Sequence, residues 1–201
     1  MWQYRNPVDI VFGAGAFARL PALLQGRNYV VITYDEPFFH DLVAKLEASA
    51  GSSRLVINDV LPNPDYGQLT RQAARLKGLA PDVIVALGGG SVIDSAKVFA
   101  AAQGDFSRVA RYLETKEGGQ SQEATPIFAV PTTAGTGSEV TCWATVWKSE
   151  TAEKYSLARA DLYPRYAIVD PLVMLGKPKQ LTNSTGLDAL SHALDSVWNV
   201  N

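Results

Sequence analysis

Asp188 and His192, in the stretch STGLDALSHALDS, lie four residues apart. On a helix they share a face, the geometry by which two side chains grip one ion, although the same spacing also serves a plain solvated contact. A second group of residues is DVIVALGGGSVIDSAK, from Asp82 to Lys97, where a β-branched run passes through three glycines into a helical pattern. A tight turn needs one glycine or two, so three followed by a helix-starting serine suggest a bulky anion close to the backbone. The amides of Gly89, Gly90 and Ser91 would converge ahead of a helix whose dipole favours negative charge. Ser91 is expected to cap that helix, with Asp94 three residues on completing an S-x-x-D pattern. The alternative is a close strand-to-helix crossing that binds nothing. No Gly-Lys-Ser/Thr follows, so this is not a Walker loop, and Lys97 is expected to be a structural ion-pair partner.

Two other stretches compete for the same chemistry. VFGAGAFARL carries Gly13, Gly15 and Ala18 in the G-x-G-x-x-A spacing of a dinucleotide loop, and Asp35 ends the next strand, roughly 20 residues on as that fingerprint requires. FGAG is equally compatible with a plain turn. FAVPTTAGTGSE sets the hydroxyls of Thr132, Thr133 and Thr136 among glycines just after an expected strand. Hydroxyls and bare amides suit a ribose or a phosphate, and they also suit a polar turn.

The elements that must hold these residues alternate. Strands are expected at 9–12, 29–33, 54–57, 82–87, 127–130 and 166–169, and helices at 16–24, 38–50, 66–76 and 92–102. Such alternation predicts an α/β fold with a mostly parallel, Rossmann-like sheet and helices on both faces. Residues 104–123 are polar and turn-rich, a surface connection around a short helix, with EGGQSQ its softest part. A domain boundary is expected near Pro178. Beyond it, Leu187, Leu190, Leu194, Val197 and Trp198 recur at helical spacing, with Asn183, Ser184 or Thr185 available as the cap.

Composition narrows the partners. The chain has 201 residues, 47% of them hydrophobic and 19% charged, with a formal charge of −2. No basic field exists to attract nucleic acid or an anionic membrane. The single cysteine, Cys142, excludes an internal disulfide and reads as a small buried hydrophobe. MWQYRNPVDI lacks the apolar stretch of a signal peptide, and no apolar run approaches the ~18 residues of a membrane span. A cytoplasmic protein with small-molecule partners is expected.

GGGSVIDSAK, the PNP of residues 62–64, PTTAGTGSEVT and STGLDALSHALDS, in this order, resemble the iron-dependent (group III) alcohol dehydrogenase family, which is related to glycerol dehydrogenase and dehydroquinate synthase. The resemblance implies a dinucleotide-binding α/β domain over residues 1–178. It makes residues 179–201 the first helix of an all-helical metal-binding domain, cut short here, with the active site between the two.

It also decides between the glycine loops. The pyrophosphate of NAD is implied to lie on Gly89, Gly90 and Ser91, with Asp94 toward the nicotinamide, while FGAG is an early turn. Asp35 matches the position facing the adenine ribose, where a carboxylate accepts from two hydroxyls and repels a 2′-phosphate, favouring NAD over NADP. Asn63, Thr132, Thr133, Thr136 and Lys154 match further cofactor contacts. Asp188 and His192 match two metal ligands, and a hard carboxylate with imidazole suits ferrous iron or zinc. Such a metal is a Lewis acid for an alcohol or aldehyde oxygen, while the neighbouring carbon exchanges hydride with nicotinamide.

The family supplies two more histidines that these residues lack. The only other histidine is His40, read as structural or exposed. The expectation is therefore part of a longer enzyme, retaining nucleotide affinity with little or no turnover alone. A non-catalytic NAD-binding module and a dehydroquinate synthase-like lyase are the alternatives, and PTTAGTGSE favours the dehydrogenase side. The ending DSVWNVN resembles the branch that reduces phosphonoacetaldehyde. Family members are commonly dimers or larger, so a homo-oligomer is expected.

Overall fold

A computed structural model describes residues 5–117 and 123–199. Most of the expected EGGQSQ turn therefore lies outside the described residues. Six strands form one sheet: β1 (Asp9–Phe12), β2 (Tyr29–Ile32), β3 (Val56–Ile57), β4 (Val83–Gly88), β5 (Ile127–Pro131) and β8 (Tyr166–Val169). Their order is β1-β8-β5-β4-β2-β3, and every pairing is parallel. β4 is central and buried throughout, which is why it reads as a continuous apolar run rather than an alternating one.

Successive residues of the strands feed two cores. Val30, Ile32, Ile84, Ala86, Ile127 and Ala129 point to one face, with α3 (Tyr66–Ala74), α4 (Gly90–Ala102) and α5 (Ser107–Thr115) packed on it. Tyr29, Val31, Val83, Val85, Leu87 and Phe128 point to the other, covered by α1 (Leu20–Leu24) and α2 (Pro37–Ala50). The period of two along each strand sorts these residues, and burying a Val, Ile or Leu side chain contributes about 1.5–3 kcal/mol.

The α/β class and the strand sequence match the expectation, with β3 reduced to Val56–Ile57 and residues 16–24 divided into a 3-10 turn (Ala16–Arg19) and α1. A hairpin absent from the expectation also forms, β6 (Trp143–Lys148) antiparallel to β7 (Glu153–Ala158). Its inner face, Ala144, Val146 and Leu157, lies against the core of α4. α4 is thus sandwiched between sheet and hairpin, and it is buried from Val92 to Ala102 except at Asp94.

α6 (Lys179–Trp198) begins earlier than expected, with Pro178 at the cap. Asn183, Ser184 and Thr185 are inside it, not ahead of it. Ser184 and Thr185 turn their hydroxyls back to the carbonyl of Leu181, at 3.1 and 2.9 Å, an arrangement that hides capping residues within a helix. None of its described residues is buried, and Leu187, Leu190 and Leu194 are exposed.

Candidate functional site

Parallel strands leave a crevice at their carboxyl ends, deepest where the chain reverses its direction of travel across the sheet. Here that point falls between β2 and β4. Asp35 follows β2, Gly89 follows β4 and Thr132 follows β5, so all three emerge at the same edge. The resulting cleft, of ≈ 1400 Å³, is lined by Asp35, Asn63, Gly89, Gly90, Ser91, Asp94, Thr132, Thr133, Thr136, Lys154, Asp188 and His192. Every residue singled out for cofactor or metal is on that lining.

The triple glycine has a packing reason. A Cβ on Gly88 would lie 2.5 Å from Val92 Cγ2, one on Gly89 3.1 Å from Thr133 Oγ1, and one on Gly90 2.9 Å from Thr136 Oγ1. The turn is bare because α4 and the threonine loop crowd it. Gly90 and Ser91 open α4, so their amides have no carbonyl one turn back and are left for the cleft. Ser91 is not the cap, as expected from S-x-x-D: Gly89 takes that place without a side-chain bond. The Ser91 hydroxyl instead accepts from the amide of Asn63 at 3.2 Å.

Asp94 is likewise not part of a capping box. Its Oδ2 accepts from the amide of Thr145 in β6 at 3.0 Å, while Oδ1 is buried without a hydrogen-bond partner. Burial raises its carboxyl above the usual range, against the opposing pull of Lys97, the Thr145 amide and Ser138. Lys97, fully buried, stands 3.8 Å from that Oδ1 and donates to the carbonyls of Ser138 (2.9 Å) and Trp143 (2.6 Å) and to Thr141 Oγ1 (3.2 Å). Burial brings its ammonium down to about 8, against Asp94, Cys142 and Glu139. The sequence reading of Lys97 as an internal ion-pair partner holds, and the three oxygen acceptors are additional. Cys142 is half-buried beside this core, less enclosed than expected.

Outer walls come from the hairpin and α6. Trp143, Thr145 and Trp147 share the hairpin face that lines the cleft, and Lys154, paired in register with Trp147, sits 5.2 Å over its ring. Gly135 touches α6, since a Cβ there would lie 2.9 Å from the carbonyl oxygen of Thr185. On α6 His192 Nδ1 is 3.9 Å from Asp188 Oδ2, both side chains well exposed. This pair offers two donors of the kind iron and zinc take. Among the described residues no group of three or more His, Cys, Asp or Glu surrounds one point, so the pair fits part of a coordination sphere and does not complete one.

The competing FGAG turn is filled from inside. The amides of Gly15 and Phe17 each donate to the carboxylate of Asp170 at 3.0 Å, and that of Leu172 does so at 2.9 Å. Burial alone would raise Asp170, but the amides of Phe17, Leu172 and Gly15 outweigh it and hold the carboxyl below its ordinary value. Asp170 follows β8 and was not anticipated; its only sequence signal is a carboxylate just before Pro171.

Comparison with known proteins agrees with this geometry. The sequence matches the family described as iron-containing alcohol dehydrogenase over residues 7–171. It is 31% identical over 203 residues to the probable NADH-dependent butanol dehydrogenase 1 of Bacillus subtilis, covering 98% of this chain and 52% of that one. Alcohol dehydrogenase 4 of Saccharomyces cerevisiae is 31% identical over 199 residues, covering 96% and 51%. Sulfoacetaldehyde reductase from Bifidobacterium kashiwanohense, solved in complex with NAD+, superposes with a TM-score of 0.87 at 31% identity, covering 98% of this chain and 54% of that structure. The chain thus spans about half the length of these relatives. No described helix is long and apolar enough to cross a membrane. With a parallel sheet, a glycine turn at its switch point and a family match across most of its length, this chain belongs to the iron-containing alcohol dehydrogenase family.

Proposed function

We propose that this chain is the dinucleotide-binding part, residues 1–178, and, within residues 179–201, the first metal-ligand helix of an enzyme that moves hydride between NAD(H) and a primary alcohol or aldehyde. The observation that carries the reading is the convergence of Asp35, the Gly89–Ser91 amides, the Thr132–Thr136 hydroxyls and the Asp188–His192 pair on one cleft.

The chain's own residues then have distinct tasks. The Gly90 and Ser91 amides and the α4 dipole receive the pyrophosphate. Thr132, Thr133, Thr136, Asn63 and Lys154 orient phosphate and ribose. Asp35 accepts from the adenine ribose hydroxyls and repels a 2′-phosphate, which selects NAD. Asp94, whose carboxylate is on the cleft lining, is suited to accept an N–H from the nicotinamide end. Bound NAD supplies the hydride acceptor or donor, and ferrous iron or zinc at Asp188 and His192 supplies a Lewis acid for the substrate oxygen.

The substrate class is a small aldehyde, phosphonoacetaldehyde being the candidate from the DSVWNVN ending. A relative that acts on sulfoacetaldehyde, also an aldehyde with an anionic head, supports that choice. Lys177 on the cleft lining offers the matching charge. A homo-oligomer in the cytoplasm is part of the same proposal.

Fluorescence titration of this chain with NADH is the direct test, and saturable binding is expected. No uptake, or a dinucleotide found away from Gly89–Ser91 in a soaked crystal, overturns the reading. Hydride transfer with and without added iron or zinc separates an enzyme from a binding module. Equal rates with phosphonoacetaldehyde and simple aldehydes in the full-length enzyme remove the substrate assignment.

A further inference from the structure

His40 has no task in the reaction proposed above, yet it touches a residue on which that reaction depends. Its Nε2 lies 2.8 Å from Asp35 Oδ1, and Asn58 Nδ2 donates to the same oxygen at 2.9 Å. Asp35 follows β2, Asn58 follows β3, and His40 is in the first turns of α2. Three elements therefore meet at a single carboxylate oxygen. Asp35 and Asn58 line the cleft, whereas His40 does not and reaches the carboxylate from outside it.

Asp35 needs such support. Its side chain is 68% exposed, and a carboxylate that far in water turns freely about its side-chain bonds unless something fixes it. Both donors converge on Oδ1, and Oδ2 has no hydrogen-bond partner among the described residues. One oxygen is anchored and the other is left able to accept.

We infer that His40 and Asn58 are positioning residues for dinucleotide choice. They hold Asp35 in the rotamer that presents Oδ2 to a ribose 2′-hydroxyl, and thereby set the preference for a dinucleotide without a 2′-phosphate over one that carries it. The inference rests on reading Asp35 as the ribose acceptor. The acid supplies the repulsion, and its two neighbours decide whether that repulsion is aimed.

The experiment is equilibrium binding of NADH and NADPH to this chain and to His40→Ala, Asn58→Ala, Asp35→Ala and the double variant Asp35→Ala/His40→Ala. Loss of one solvent-exposed hydrogen bond predicts NADH binding weaker by about 3- to 10-fold in His40→Ala and in Asn58→Ala. NADPH binding is unchanged or tighter, so the ratio of the two narrows. In the Asp35→Ala background, His40→Ala adds nothing, because its effect passes through the carboxylate. A purely structural role would weaken both dinucleotides equally and add in the double variant, which overturns the inference. So does an Asp35→Ala variant with a narrowed ratio beside His40→Ala and Asn58→Ala with none. If Asp35→Ala itself leaves the ratio unchanged, the ribose reading falls and the inference falls with it.

Discussion

The Lys97 ammonium donates to the carbonyl oxygen of Trp143 across 2.6 Å, joining the middle of α4 to the first residue of β6 inside the protein. With its bonds to Ser138 and Thr141, it sets the distance between the glycine turn and the hairpin that walls the cleft.

Replacing this lysine with methionine keeps the apolar stem and removes the donors. Lys97→Met is expected to lose about 1–3 kcal/mol at pH 7, because buried carbonyls are left unpaired. The pH dependence has a definite sign. Burial lowers the folded-state value to about 8 against an ordinary 10.5, so between these values the unfolded chain holds more protons and stability rises with pH. Urea unfolding at several pH values should show that rise in the parent chain and a flatter profile in Lys97→Met. Identical slopes would remove the buried ammonium as its cause.

Asp170→Ala strips three amides of their acceptor and is expected to cost about 1–3 kcal/mol or more. The carboxyl of Asp170 is held below its ordinary value, so its contribution is present above the unfolded carboxylate range of roughly 4 and fades as pH falls through the lower folded value. Acid unfolding should therefore begin at higher pH in wild type than a fit without this group predicts, and Asp170→Ala should abolish that component. An unaltered acid transition would contradict it.

Gly90→Ala drives a methyl toward Thr136 Oγ1, 2.9 Å away. Overpacking of this kind costs about 1–3 kcal/mol, and NADH affinity should fall about tenfold or more as the threonine loop moves. Adding Thr136→Ala makes room again, restoring the melting temperature but not the affinity. Recovery of both would mean that the hydroxyl has no part in binding.

Calorimetric titration with Zn2+ or Fe2+ should give weak binding, since Asp188 and His192 supply two donors where protein zinc sites use three or four. His192→Ala should abolish it. Binding that persists in this variant would assign the metal to other residues.

Much of this arrangement is legible in the sequence because β-branched runs and turn glycines announce a parallel sheet directly. β2, β4, β5 and β8 follow from Tyr29–Ile32, Val83–Gly88, Ile127–Pro131 and Tyr166–Val169 almost residue for residue. The β6–β7 hairpin was less visible, although Trp143 to Trp147 alternates outward and inward. Its outward tryptophans line a cleft rather than a core, so the segment looks apolar on both sides and loses its period. Local rules misled at two helix starts. Ser91 and Thr185 have the composition of caps, but a glycine and a proline take those positions, because tertiary packing fixes where each helix begins. Contacts between distant residues, such as Asp170 with Gly15 or His40 and Asn58 with Asp35, have no signature in spacing at all.

The occupied FGAG turn has a consequence for reading glycine fingerprints in general. Nitrogen-lined bends attract negative charge regardless of origin, and here the guest is tethered to the host, at a local concentration no dissolved nucleotide attains. An incoming diphosphate would have to evict a permanent lodger of its own sign. Spacing nominates such a berth; only knowing who already sleeps there says whether it is vacant.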